Sequence, residues 1–319
     1  MISEESKRML SECVFHPIRS LYRFLWLLNT KDPAFANREA FFRLRNAVLS
    51  LPDGESRKYK DEIAFLQSCP LSYFEEQHLF PYERVAEPRT VGAFFDSERK
   101  LPYVNHNGAR LYFPRRFSVD DATRLYRYYV EEEGLLGTGL LRKSPHRYTT
   151  PDFRVENGET VIDIGCSEAL FSLDNLAVAK EVYLFETLKE WKEPLRATFA
   201  ERLGTSVFVH NKFVGEKTGG HNIRLLDAVK QNNDARYFIK MDIEGGERVV
   251  LHSCRDFLMA HKVKICCCLY HRPDDELVIV SKLREMGFST EISDGYVFIP
   301  MNGIHFPYFR RCLVRAKNY

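Results

Sequence analysis

From about residue 150 to the end of the chain, strand-like apolar runs alternate with amphipathic helical segments. This alternation restricts the fold strongly, because strands connected by helices form parallel sheets with crossover helices. Five runs are predicted to be parallel strands, and they are Thr160–Ile164, Val182–Phe185, Val207–His210, Tyr237–Met241 and Ile265–Tyr270. The end of the chain differs, because Tyr296–Pro300 and Phe309–Ala316 are two runs with no helix between them. They predict an antiparallel pair that completes an otherwise parallel sheet.

Two of the intervening helices have a readable apolar spacing. In the first, apolar residues lie four apart and a glycine is expected to end the helix; these are Trp191, Leu195, Phe199, Leu203 and Gly204. In the second, the predicted buried face is Leu277, Val280 and Leu283, and Gly287 closes the helix.

The pattern of apolar and turn-forming residues divides the chain into three segments. Residues 1–95 are predicted to form a mainly helical N-terminal region, in which Leu21, Leu25 and Leu28 repeat at helical spacing. Residues 96–150 are a connector, with a hairpin that turns at Asn107-Gly108 and a helix that Ser118 caps. Residues 151–319 form the α/β domain.

Composition excludes several classes of protein. The 319 residues include 46 Lys and Arg against 44 Asp and Glu, a net charge of +2, which argues against a dedicated nucleic-acid binder. No apolar run approaches the roughly 20 residues that span a bilayer, so no membrane partner is expected. The first charged residues are acidic, unlike a secretory leader, and none of the eight cysteines forms a C-x-x-C pair. We therefore expect a cytoplasmic protein.

In open α/β sheets, ligands bind beyond the carboxyl ends of the strands. The first strand ends in Asp163-Ile-Gly165-Cys166-Ser167-Glu168, where the glycine would let a ligand approach the backbone. A dinucleotide-binding loop would have further glycines where Ser167 and Leu170 stand. Two carboxylates would also repel a pyrophosphate. A cationic nucleoside without phosphates, such as S-adenosylmethionine, fits this loop better.

The ends of the first three strands suggest contacts with such a cofactor. Asp163 would hold its ammonium group, and the helix N-terminus opened by Ser167 would hold its carboxylate. Glu186, at the end of the second strand, would accept both ribose hydroxyls, although a carboxylate near a helix N-terminus is the alternative. Asn211 follows the third strand and faces adenine or serves a turn. The predicted cofactor-binding residues are Asp163, Gly165, Cys166, Ser167, Glu186, Asn211 and Asp242.

Candidate catalytic groups follow the fourth and fifth strands. Asp242 and Glu244 lie two apart on an extended segment, so both can point into the cleft and bind an ammonium, a hydroxyl or a divalent cation. We predict no metal, because an oxygen-ligand site needs more partners than the sequence locates. His271 is the first candidate for general base, although it could instead satisfy a neighbouring carboxylate. Glu247 is expected only to favour a helix N-terminus, and Cys266–Cys268 are expected to pack as small apolar groups.

Together these residues resemble the FkbM-family methyltransferases. The matching stretches are Val161–Cys166, Val182–Glu186, Ile223–Ala228, Ile239–Glu247 and Tyr270–Asp275. The resemblance covers residues 144–319 and implies a Rossmann-like class I methyltransferase domain, with S-adenosylmethionine as cofactor and O-methylation of a small molecule or sugar. Ser144–Thr149 resembles the segment that precedes the methyltransferase domain in one subgroup of this family. It is expected either to lie across the cofactor cleft or to pack as a loop. Ala169 stands where this family often has a second glycine.

Three alternatives to this function remain open. The first is a non-catalytic module that binds S-adenosylmethionine or its product. The second is a methyltransferase that acts on a nitrogen atom or a protein, and the third is an NAD-type oxidoreductase. The acceptor and the oligomeric state cannot be read from the residues.

Overall fold

The computed structural model describes residues 48, 50–68, 80–87, 91–137, 139–232, 234–298 and 309–319. The predicted helix at residues 21–28 lies outside these ranges. The chain is divided into two compact units. One comprises residues 1–83 and 296–310, and the other, here called the sheet unit, comprises residues 84–295 and 311–319. The predicted division at residues 95 and 150 stays a prediction.

The helices and strands are named in chain order. The helices are α1 Asp53–Lys58, α2 Lys60–Ser68, α3 Val119–Arg127, α4 Leu170–Asp174, α5 Lys192–Thr198, α6 Leu225–Ala228, α7 Glu247–Ser253, α8 Arg255–Ala260 and α9 Asp275–Glu285. A π-helical segment, Tyr128–Glu132, follows α3, and a 3₁₀ turn, Lys189–Trp191, precedes α5. The strands are β1 Ala93–Asp96, β2 Leu101–His106, β3 Ala109–Tyr112, β4 Thr160–Ile164, β5 Glu181–Phe185, β6 Val207–His210, β7 Phe213–Val214, β8 Asn222–Ile223, β9 Arg236–Met241, β10 Lys262–Cys268, β11 Ser289–Ile292, β12 Val297–Phe298, β13 Phe309–Arg310 and β14 Leu313–Lys317.

The sheet unit is built on seven strands in the order β6-β5-β4-β9-β10-β14-β11. The first five of these run parallel, and β14 pairs antiparallel with both β10 and β11. The central strands are buried on both faces, as apolar parallel strands between helices should be. This confirms the predicted fold class, a Rossmann-like α/β domain with a mostly parallel sheet and an antiparallel last strand.

The predicted partner of that last strand was wrong. The strand that completes the sheet is β11, whereas Val297–Phe298 pairs with Phe309–Arg310 in a separate two-stranded sheet of the first unit. The apolar run at residues 309–316 is therefore two strands, interrupted at Arg311-Cys312. The sequence of β11, Ser-Thr-Glu-Ile, gives no clear strand signal because three of its four residues are polar, and its residues alternate between exposed and partly buried as edge strands do.

The predicted hairpin, which precedes the large sheet in the chain, is confirmed as β2 and β3. Asn107 and Gly108 both have positive φ, at 48° and 86°, as a tight turn of this kind requires. A further strand, β1, pairs antiparallel with β2 and was not predicted. The cap of α3 is a full capping box, in which Ser118 and Asp121 exchange hydrogen bonds.

The helical faces are only partly as predicted. Trp191, Leu195 and Phe199 are buried, but α5 ends at Thr198 and does not continue to Leu203. In α9 the predicted face was rotated, because Leu277 is 73% exposed while Ile279, Val280 and Leu283 are buried. Within the described residues, no helix is both long enough and apolar enough to span a bilayer.

The described part of the first unit has its own small core. Apolar residues of α1–α2 and of the β12–β13 pair form it, and they are Val48, Tyr59, Ile63, Leu66, Tyr296, Phe298 and Phe309. Tyr82 donates a hydrogen bond of 2.8 Å to the buried carboxylate of Glu62.

Candidate active site

Four neighbouring parallel strands, β5, β4, β9 and β10, bring their carboxyl ends to one edge of the sheet. The loops that leave this edge contain three of the described non-glycine residues with positive φ: Ser167 at 49°, Ala169 at 62° and Glu244 at 56°. Backbone of this kind is costly and persists only where the surroundings enforce it, which is common at functional sites. The strand-end loops are therefore held in specific conformations.

Asp163 and Lys240 form a fully buried ion pair between β4 and β9. The Lys240 ammonium lies 3.2 Å from Asp163 Oδ1 and donates a 2.6 Å hydrogen bond to the Gly165 carbonyl. Ser172 donates to the other Asp163 oxygen at 2.7 Å. Burial lowers the pKa of Lys240, but the charges of Asp163 and Asp242 outweigh burial and raise it well above its usual value. Asp163 is thus engaged inside the protein, and its predicted contact with a cofactor ammonium stays a prediction.

Position 165 requires a glycine because the backbone of another loop approaches it closely. From the sequence, the expected reason was the approach of a ligand. The φ of Gly165 is +77°, and a Cβ at this position would lie 1.9 Å from the carbonyl oxygen of Asp242. The close approach is therefore between the β4 and β9 loops. The neighbouring Cys166 is buried, and burial raises the pKa of its thiol well above the usual range.

The predicted role of Ser167 in opening a helix was wrong. Helix α4 begins at Leu170 and its N-cap is Ala169 in a left-handed conformation, so Ser167 precedes the helix by three residues. Ser167 instead uses its backbone N–H to donate to Glu186 Oε2 at 3.0 Å. The cause is the left-handed turn at Ser167 and Ala169, which the sequence does not signal because both residues are non-glycine.

Glu186 forms hydrogen bonds with the loops that follow three strands, β4, β5 and β6. Its two carboxylate oxygens accept from the N–H groups of Ser167 at 3.0 Å and of Leu188 at 2.7 Å. Asn211 donates from its side chain to the Glu186 carbonyl at 2.7 Å. The structure therefore brings Ser167, Glu186 and Asn211 together. Each carboxylate oxygen keeps a second lone pair for another donor.

Asp242 lies at the centre of a polar cluster. Tyr148 donates to its Oδ2 at 3.0 Å, and Tyr270 lies 3.5 Å from Oδ1. His146 Nε2 lies 3.6 Å from Oδ2, and His271 Nε2 lies 3.5 Å from Oδ1. Burial raises the pKa of this carboxyl, but Lys240 and the two histidines lower it to about 2. Asp242 is therefore ionised at neutral pH.

His271 and Glu247 form a second buried pair beside Asp242. His271 Nδ1 lies 2.8 Å from Glu247 Oε1, which also accepts the Ile243 N–H at 2.9 Å. Burial lowers the pKa of His271, but the hydrogen bond and charge of Glu247 raise it to about 9. The imidazolium is therefore the major form at neutral pH. Glu244, the remaining catalytic candidate, is exposed and its Oε2 lies 3.9 Å from His271 Nε2.

Sequence reasoning missed four members of this site. Glu247 does begin helix α7, as expected, but it also holds His271. His146, Glu133 and Cys268 were not assigned to the site, although His146 and Tyr148 belong to the Ser144–Thr149 segment that the resemblance singled out. The segment meets the site through contacts between distant parts of the chain, since Tyr148 and Asp242 are 94 residues apart and His146 and Cys268 are 122 apart. That segment gave the signal that could have located one of the four, His146.

Glu168 is a further buried carboxyl at this edge. Burial raises its pKa to about 7, and its Oε1 accepts the Leu170 N–H at 3.4 Å. Together with Asp242 it gives the β4 and β9 loops an acidic character. Such a site suits a cationic ligand and disfavours a pyrophosphate.

Comparison with solved structures gives several similarities, of which three are described. A methyltransferase FkbM from Methylobacillus flagellatus KT is 17% identical, and the match covers 99% of this chain and 72% of that one with a TM-score of 0.42. A precorrin-6y C5,15-methyltransferase from Geobacter metallireducens is 15% identical over 51% of this chain and 81% of that one, with a TM-score of 0.35. A putative methyltransferase from Streptococcus mutans, solved in complex with SAH, is 14% identical over 51% and 90%, with a TM-score of 0.34.

No family model matches the chain, and no curated protein does. The function is therefore inferred from the residues of the site.

Proposed function

We propose that the protein transfers a methyl group from S-adenosylmethionine to a hydroxyl group of a small molecule or sugar. One observation carries the proposal: the motif residues Asp163, Glu186, Asp242 and His271 lie at the carboxyl ends of four adjacent parallel strands. This edge is where open α/β sheets bind ligands. No nucleic acid or membrane takes part in the proposed reaction.

The cofactor would be held by the β4, β5, β6 and β9 loops. The residues proposed to bind it are Asp163, Gly165, Cys166, Ser167, Glu186, Asn211 and Asp242. Their chemistry fits, because ionised Asp242 suits a cationic ligand and Glu186 joins the two loops that would flank a ribose. When bound, S-adenosylmethionine would supply a methyl group that its positively charged sulfur already activates for displacement.

The chain's own residues then have two tasks, to orient the acceptor hydroxyl and to receive its proton. Holding the reacting atoms in line contributes most, since the methyl group needs no further activation. We propose His271 as the proton acceptor. The carboxylates of Asp242 and Glu244 are the second candidates for this role. Only neutral imidazole accepts a proton, so the pKa of about 9 makes the active form a minority at neutral pH.

The alternatives predict different results. A non-catalytic module would bind S-adenosylmethionine or its product without turnover on any acceptor. An enzyme that methylates nitrogen or a protein would need the same cofactor and would fail on hydroxylated compounds. An NAD-type oxidoreductase is disfavoured by the ionised Asp242 and by the absence of the glycines that cradle a pyrophosphate.

The variant His271→Gln should lower turnover by about 10²–10⁴-fold, which is the usual contribution of a positioned base. The affinity for S-adenosylmethionine should change little, because His271 is not among the proposed cofactor contacts. The measurement is transfer of a labelled methyl group to a panel of hydroxylated compounds, beginning with sugars, next to a calorimetric titration of the cofactor.

His261→Gln is the matched control. His261 lies immediately before β10, at the other end of the strand from His271, and its Nδ1 lies 3.0 Å from the Phe257 carbonyl. It should keep full turnover. Unchanged turnover in His271→Gln would exclude His271 as the base, and an equal loss of cofactor affinity would mean that it positions the cofactor.

A further inference from the structure

Three side chains at the centre of the site are placed as zinc ligands would be. We propose that His146, Asp242 and Cys268 bind a zinc ion. His146 Nε2 lies 3.5 Å from Cys268 Sγ and 3.6 Å from Asp242 Oδ2. The three ligand atoms all lie within 4.8 Å of one another. The sequence alone predicts no metal because it does not locate the partners, and the fold supplies them.

Two of the three separations between ligand atoms agree with tetrahedral coordination. Zinc binds histidine nitrogen and carboxylate oxygen at about 2.0–2.2 Å and thiolate sulfur at about 2.3 Å, so ligand atoms at tetrahedral angles lie about 3.3–3.6 Å apart. The two separations from His146 Nε2, 3.5 Å to the sulfur and 3.6 Å to the carboxylate, lie at the upper end of this range. The 3.6 Å separation from Asp242 is longer than an ordinary N–H···O hydrogen bond, whereas the 3.5 Å separation from Cys268 is also within the range of a hydrogen bond to sulfur.

A carboxylate behind His146 provides an independent observation. Glu133 Oε2 lies 3.3 Å from His146 Nδ1, while Nε2 faces Asp242 and Cys268. Histidines that bind a metal usually donate their second ring nitrogen to a carboxylate, which fixes the tautomer and aims the other nitrogen at the ion. Glu133 is therefore the proposed positioning residue for His146.

The donor set selects the type of metal. One nitrogen, one oxygen and one sulfur ligand suit a borderline-soft ion such as Zn²⁺, whereas Mg²⁺ and Ca²⁺ require oxygen ligands. Asp242 and a Cys268 thiolate would together balance the two charges of the ion. The Lys240 ammonium is nearby, but it is paired with Asp163.

One of the three proposed ligands is partly exposed. His146 and Cys268 are buried, whereas the Asp242 side chain is 19% exposed. Three protein ligands leave one tetrahedral position for a water molecule or a substrate oxygen, the arrangement of zinc sites that take part in chemistry. The proposal concerns metal binding alone, so it does not depend on methyl transfer.

The test is metal binding by the full chain without a polyhistidine tag, after removal of bound metal with a chelator. Zinc is titrated in competition with a chromophoric chelator, and Co²⁺ is used as a spectroscopic probe. We expect one ion per chain and a thiolate-to-cobalt charge-transfer band. Cys268→Ser should remove this band and weaken zinc binding by about 100-fold, because it removes one of three protein ligands.

Two matched controls separate the site from general effects of substitution. Cys266→Ser changes an equally buried cysteine two residues earlier in β10, and His106→Gln changes a buried histidine that contacts Tyr126 and Asp174 instead. Both should keep the cobalt band and the zinc affinity, whereas His146→Gln should lose affinity as Cys268→Ser does.

Thermal unfolding with and without zinc gives a readout that needs no activity. Wild-type protein should gain stability with zinc, and Cys268→Ser and His146→Gln should not. Absence of zinc binding by wild-type protein, or equal binding by wild-type protein, Cys268→Ser and His146→Gln, would overturn the proposal whether or not the protein binds S-adenosylmethionine.

Discussion

The variant Asp163→Asn should lower the free energy of unfolding by about 3–5 kcal/mol. Asp163 is fully buried, and its carboxylate is the partner of the buried Lys240 ammonium at 3.2 Å. Asparagine keeps the size of the side chain but leaves the lysine without its counter-charge. An uncompensated buried charge costs much more than the intact pair contributes, and the loss is measured by urea unfolding in the absence of ligand.

Glu190→Gln is the control for this variant. It breaks an exposed ion pair with Arg116, 2.6 Å apart, and should change stability by less than about 1 kcal/mol. In the double variant Asp163→Asn, Lys240→Met, part of the lost stability should return, because the stranded charge is removed as well. If Asp163→Asn unfolds like wild-type protein and only loses cofactor affinity, its carboxylate serves the ligand and not the lysine.

The variant Gly165→Ala should cost about 2–5 kcal/mol of stability, the sum of left-handed backbone strain and overpacking. The added Cβ would lie 1.9 Å from the Asp242 carbonyl oxygen and 2.6 Å from the Ile243 side chain. Since the first of these atoms belongs to the backbone, the β9 loop must move. The Asp242 cluster moves with it, so we also expect weaker binding of S-adenosylmethionine.

Gly204→Ala is a matched control with the same φ of +77° and no atom within 4 Å of the added Cβ. It isolates the strain of the left-handed conformation, which is about 1–2 kcal/mol. Urea unfolding of both variants separates the two contributions. Equal losses of stability would show that the approach of Asp242 is not what requires a glycine at position 165.

The inner part of the large sheet was predictable from the sequence because its inner parallel strands are buried on both faces. Such strands appear as short apolar runs: the predicted and observed bounds of β4 coincide, and β5 and β9 each begin one residue earlier than predicted. β1 and β11 were missed because edge strands keep polar or exposed residues that weaken this signal. The rotated face of α9 shows a similar limit, because Leu277 is apolar and yet 73% exposed.

The candidate site was predictable in location and less so in detail. The rule that ligands bind at the carboxyl ends of parallel strands located Glu186, Asp242 and His271 at one edge. It could not reveal that Asp163 is neutralised by Lys240, because that depends on which side chains face each other across β4 and β9. His146 was unpredictable from spacing for the same reason, since it lies 122 residues before Cys268 in the chain.

Binding of S-adenosylmethionine at the carboxyl edge of this sheet is the property on which the proposed function depends. The most direct measurement is calorimetric titration of the purified protein with S-adenosylmethionine, S-adenosylhomocysteine and NAD in parallel, together with the variant Glu186→Gln. We expect micromolar binding of the first two ligands, none of NAD, and weaker binding by the variant. Binding of NAD alone, or of none of the three, would contradict the proposed function and leave only the fold.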